Sequence, residues 1–99
     1  MLLQETFPEL AKEMYADLRK LKRLDLAEQI SMLQIIDRCR CGLEGCGTFY
    51  TELTPNRRSR SGVDMTLQCG ATVTELRGTI VRVETLDPTV EATLRRLVP

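Results

Sequence analysis

"VDMTLQCGATVTELRGTIVRVETL", Val63 to Leu86, switches between apolar and polar residues at almost every step. Val63, Met65, Leu67 and Cys69 alternate with Asp64, Thr66 and Gln68, the period of two that marks a half-buried strand and that points Cys69 inward. "ATVTEL" and "TIVRVETL" then flank Arg77–Gly78, and Val81 and Val83 alternate with Arg82 and Glu84. This is the pattern of a β-hairpin with one apolar and one solvent face.

Working outward, "TFYTEL" (Thr48–Leu53) is rich in β-branched and aromatic residues and reads as a further strand, and "TPNRRSRSG" after it is a loop by its Pro, Asn, Ser and Gly content. Ile35 and Ile36 give extended character just before a segment dense in cysteine and glycine. Strands are therefore expected between about residues 34 and 86, forming an antiparallel sheet of four or five strands.

Outside those limits the apolar period becomes helical. Leu10, Met14, Leu18 and Leu21 share one helical face, with Thr6 as the expected cap, Pro8 in the first turn and the basic stretch Arg19–Arg23 at the negative end of the dipole. Asp25 and Glu28 resemble a capping box for a second helix that carries Leu26, Ile30 and Leu33. At the other end, Asp87 as cap, Pro88 at the first helical position and Val90, Leu94 and Leu97 on one face predict a closing helix. The plan is α+β: two N-terminal helices, the antiparallel sheet and a C-terminal helix, with helices on one side of the sheet, in a single small domain over residues 1–99.

The chain carries 14 basic and 14 acidic side chains, so no long-range field directs it to nucleic acid or to an anionic membrane. With 42% hydrophobic and 28% charged residues it has the composition of a globular domain, and at this length it buries only a modest core. No stretch reaches the ~18 consecutive apolar residues of a membrane span, and the first residues lack the pattern of a secretory signal. The expectation is a cytoplasmic protein with reduced cysteines. Histidine is absent, which excludes Ser-His-Asp and Cys-His catalysis and imidazole metal ligands.

"DRCRCGLEGCGTFY", Asp37–Tyr50, holds three of the four cysteines. Cys39 and Cys41 are two apart, so on a strand both leave the same face, and a loop with Gly42 and Gly45 can fold Cys46 back toward them. Cys69 is the available fourth ligand, which would complete the all-cysteine tetrahedral set that structural zinc prefers. Two other readings stay open: small buried thiols beside a glycine turn, or a thiol redox or Cu(I)-handling site. The redox reading needs positive charge at the sulfur, and Arg38 and Arg40 would point to the opposite face of a strand from Cys39 and Cys41. Asp37, Glu44 and Glu52 are the nearby carboxylates, read as surface charges.

"RCRCGLEGCGTFYT" together with "GTIVRVETL" resembles a set of small uncharacterised bacterial proteins, in which a helical start leads to a Cys-x-Cys-Gly turn and then to a Gly-x-Ile-x-x-(Ile/Val)-Glu-x-Leu strand. The resemblance implies a bacterial cytosolic protein and carries no mechanism.

For function, the leading expectation is a binding module that docks onto a protein partner and performs no catalysis, with zinc as a structural staple. The alternatives are nucleic-acid binding through Arg57, Arg58 and Arg60, and thiol redox or metal handling by the cysteines. A free edge strand would also allow a homodimer.

Overall fold

The computed structural model describes residues 1–51 and 62–99. It has the expected α+β plan, with a five-stranded antiparallel sheet, helices before it and one helix after it. The helices are α1 (Leu3–Thr6), α2 (Pro8–Lys20), α3 (Leu24–Ala27) and α4 (Pro88–Leu97), with a 3-10 turn at Ile30–Met32. The strands are β1 (Asp37–Arg38), β2 (Phe49–Tyr50), β3 (Val63–Thr66), β4 (Thr72–Leu76) and β5 (Thr79–Glu84), in the spatial order β1-β2-β5-β4-β3.

The N-terminal helical region differs in detail from the expectation. Thr6 does not cap; it is the last residue of α1, and its hydroxyl donates back to the Leu2 carbonyl at 2.9 Å. Phe7 leaves the helical conformation (φ −130°, ψ 70°), and α2 starts at Pro8, whose missing N–H costs nothing in a first turn. Met14 and Leu18 are fully buried, whereas Leu21 is exposed because the helix stops there. The stop is a left-handed turn: Lys22 has φ 60°, and the Arg23 N–H returns to the Leu18 carbonyl at 2.9 Å. The Asp25–Glu28 capping box does not form. Asp25 pairs instead with Arg23, and α3 gives way to the 3-10 turn after Ala27, still burying Leu26, Ile30 and Leu33.

The sheet follows the alternation with one instructive exception. Between Glu75↔Ile80 and Thr74↔Arg82 the register slips, leaving Val81 as the extra residue of a β-bulge on β5. The bulge resets the period, so Ile80 and Val83 are the two fully buried side chains of this strand and Val81 is only half-buried. The Val81 carbonyl accepts the Thr51 N–H at 3.0 Å. The hairpin turn itself has Arg77 at φ 53° and Gly78 at φ 82°, the two positive values of the primed turn that matches strand twist.

β3 is an edge strand and its alternation ends early. Val63 is 61% exposed and the strand stops at Thr66; Leu67 turns into the core, its N–H bonded to the Ala71 carbonyl at 2.8 Å. Behind the sheet, Phe49, Val73, Ile80 and Val83 share one core with Leu3, Met14, Leu18, Leu26 and, from α4, Val90 and Leu94. Phe7 stacks on Phe49, ring centroids 6.1 Å apart. α4 is capped as expected, the Asp87 carboxylate accepting the Thr89 N–H at 2.8 Å.

Candidate metal centre

The cysteine segment is the connection between β1 and β2. Its ladder continues one step beyond the strands, the Cys39 N–H donating to the Thr48 carbonyl at 2.9 Å, and then the chain swings out and back. Gly42 and Gly45, at φ 79° and 81°, supply the left-handed conformations that this reversal requires. The Cys46 N–H closes the turn on the Leu43 carbonyl at 3.2 Å, and Cys46 bridges to Leu86 on the chain leaving β5. Next to it, Gly47 is locked to Thr85: its N–H donates to the Thr85 carbonyl and its carbonyl accepts the Thr85 hydroxyl, both at 2.9 Å.

This path brings the Cys39, Cys41 and Cys46 sulfurs within 4.8 Å of one another. Four-coordinate zinc with bonds of ~2.3 Å would place its sulfurs about 3.8 Å apart, a spacing that falls within this 4.8 Å limit. These three cysteines could hold a metal ion. Cys39 and Cys46 are half-buried and Cys41 is exposed at the rim. Burial pushes the Cys39 thiol up, whereas Cys41 is pulled down, first by the Leu43 backbone N–H and then by hydrogen bonds from Cys46 and Cys39.

The sulfurs open onto a surface depression of about 320 Å³. Arg38 and Arg40 line it beside the cysteines, contrary to the expectation that they would face away; regular strand geometry ends at Arg38, so the alternation no longer applies. Both guanidinium groups are engaged. Arg38 donates to the Val98 carbonyl at 2.5 Å, and Arg40 to the Asp37 carboxylate at 2.6 Å and to a Pro99 oxygen at 3.1 Å. Asp37 is thus paired with Arg40 rather than poised as a base. From α4, Glu91, Leu94 and Arg95 complete the lining, with the Glu91 carboxylate 3.2 Å from Arg95.

Cys69, the expected fourth ligand, is not in the sulfur group. It lies in the turn between β3 and β4, where the chain has already left the strand whose alternation was to aim it. Its N–H donates to the Asp17 carboxylate of α2 at 2.9 Å, and its thiol is pushed up by burial, with Asp17 and Glu13 adding to the effect. It borders a separate groove of about 750 Å³ between the starts of α2 and α4.

Arg57, Arg58 and Arg60, the candidate nucleic-acid contacts, lie outside the described residues, as does Glu52. Among the described residues no helix is long and apolar enough to cross a membrane. Two residues that matter here were not singled out from the sequence. Asp17 sits on the apolar side of α2 among Met14 and Leu18, and a charged residue at a core-facing position is the signal that could have found it. Glu91 carried no such signal, because its relation to the cysteines exists only after folding. Compared with protein-family models, curated proteins and solved structures, the chain matches none.

Proposed function

We propose that this protein is a small binding module whose Cys39–Cys41–Cys46 loop is held by a structural zinc ion, and that it acts by docking onto another macromolecule. The observation carrying this reading is the convergence of three sulfurs within 4.8 Å on a glycine-turned loop. Backbone bonds fix both ends of the loop, whereas Leu43 at its tip is 67% exposed and the stretch from Cys41 to Gly45 buries no apolar side chain, which is where a metal would add most. Thiolates favour zinc and Cu(I) over hard cations, and zinc fits a site that needs to hold shape without redox change. A chain without histidine offers no imidazole to a catalytic zinc, which supports a structural role.

The test is metal analysis of protein purified under reducing conditions without added zinc, combined with alkylation of each cysteine read by mass spectrometry. One equivalent of zinc should slow alkylation of Cys39, Cys41 and Cys46, leave Cys69 unchanged, and raise stability until a chelator is added. Protein that neither retains nor takes up zinc, with all three thiols equally reactive in its presence, would sink the reading. Recovery of a disulfide among the three, formed and reduced reversibly, would put thiol redox chemistry in its place.

A further inference from the structure

Three thiolates leave one position of a tetrahedral ion to fill. We propose that Glu91 of α4 fills it, so that the metal fastens the cysteine loop to the C-terminal helix; this rests on the metal reading above.

The loop already leans on the start of that helix. Cys46 bridges to Leu86, and a Cβ built on Gly45 would lie 4.0 Å from Pro88 Cγ, so the turn carrying the third sulfur packs against the first residues of α4. Glu91 lies in the first turn of α4, three residues beyond Pro88. Its side chain is only 15% exposed, and it is the single carboxylate among the described residues that line the depression with Cys39, Cys41 and Cys46. Asp and Glu oxygens are among zinc's protein ligands, at bond lengths of ~2.0–2.2 Å, and this chain has no imidazole to offer instead.

Two costs oppose the assignment, and both are small here. Glu91 must leave Arg95, but a partly exposed pair one helical turn apart is weak and gives way to a metal bond. A divalent ion with three thiolates and a carboxylate carries net negative charge in a half-buried place. Arg38, Arg40 and Arg95 all line the same depression, and Arg95, once released, remains beside the site to offset that charge. In the structure the Glu91 carboxylate is held by Arg95 and is not among the ligand atoms that lie within 4.8 Å of one another, so it must swing inward to reach the ion.

The experiment uses the whole chain and cobalt(II) as a spectroscopic stand-in for zinc, with zinc affinity measured by competition against a chromophoric chelator. Wild type should give the visible bands of tetrahedral cobalt with thiolate charge-transfer absorption. Glu91→Gln should weaken zinc binding by roughly tenfold or more, the scale that even outer-shell partners reach, and alter the visible bands. Arg95→Gln breaks the same ion pair but keeps the carboxylate, so it should bind zinc as tightly as wild type. Glu91→Cys should restore tight binding with increased charge-transfer absorption. If Glu91→Gln matches wild type in affinity and spectrum while wild type binds one cobalt through three thiolates, the assignment to Glu91 fails and the metal reading stands. If wild type binds no metal, both fall.

Discussion

The carboxylate of Asp17, buried on α2, accepts the backbone N–H of Cys69 at 2.9 Å, joining the last turn of the long helix to the turn between β3 and β4. It satisfies an amide that the turn leaves without a strand partner, and it keeps Cys69 against α2. Asp17→Ala should therefore cost about 1–3 kcal/mol, the penalty of stranding a buried polar group. Asp17→Asn, which keeps an acceptor oxygen, should cost less. Urea denaturation of both variants measures this, and equal losses would show that charge rather than the hydrogen bond matters.

Gln29 does for the β4–β5 hairpin what Asp17 does for the turn before it. Its Oε1 accepts the Ile80 N–H at 2.9 Å and its Nε2 donates to the Gly78 carbonyl at 2.6 Å, so one amide side chain binds both a donor and an acceptor of the hairpin. Gln29→Ala should destabilise by about 0.5–1.5 kcal/mol, the net worth of a partly exposed hydrogen bond, and speed hydrogen exchange at Ile80. Gln29→Glu should fare no better, since a carboxylate facing the Gly78 carbonyl has no proton to donate. Unchanged exchange at Ile80 in either variant would contradict this role.

Gly47→Ala should be strongly destabilising for a steric reason. The added methyl would collide with the Thr85 hydroxyl and come 2.9 Å from Val90 Cγ1. Overpacking of this kind costs about 1–3 kcal/mol. Removing the hydroxyl should relieve part of it, so a thermal-melting cycle of Gly47→Ala, Thr85→Ala and the double variant should show favourable coupling. Simple additivity would argue that the backbone shifts instead.

Arg23 bridges α3 and β4, donating to Asp25 at 3.1 Å and to Glu75 at 2.8 Å. The guanidinium hydrogen bonds hold the Asp25 carboxyl below the usual carboxylate range, and Arg23 is raised in return, chiefly by Asp25 and then by Glu75. A carboxyl whose pKa is lower folded than unfolded stabilises above its unfolded value, and that contribution is lost as pH falls through the depressed folded value. Because Asp25 is solvent-exposed, its share is small. Carboxyl carbon NMR should show Asp25 titrating late in acid, and Arg23→Gln should return it to the ordinary range.

The local periodicities were enough to specify the α+β plan, the hairpin at Arg77–Gly78 and the Asp87–Pro88 start of α4, because caps, turns and apolar spacing act over a few neighbouring residues. The same reasoning could also place three cysteines on one glycine-turned loop. It failed wherever a regular element stopped or slipped. The bulge at Val81 moved burial to Ile80, the end of β3 at Thr66 took Cys69 off the strand that was to aim it, and the end of β1 at Arg38 brought two arginines round to the sulfurs. Alternation assumes an unbroken ladder, and whether a ladder continues depends on partners far along the chain. The grip of Asp17 on Cys69 is of this second kind: residues some fifty positions apart met because α2 and the turn before β4 pack onto one core, and Glu91 likewise lines the depression of the cysteine loop only after folding.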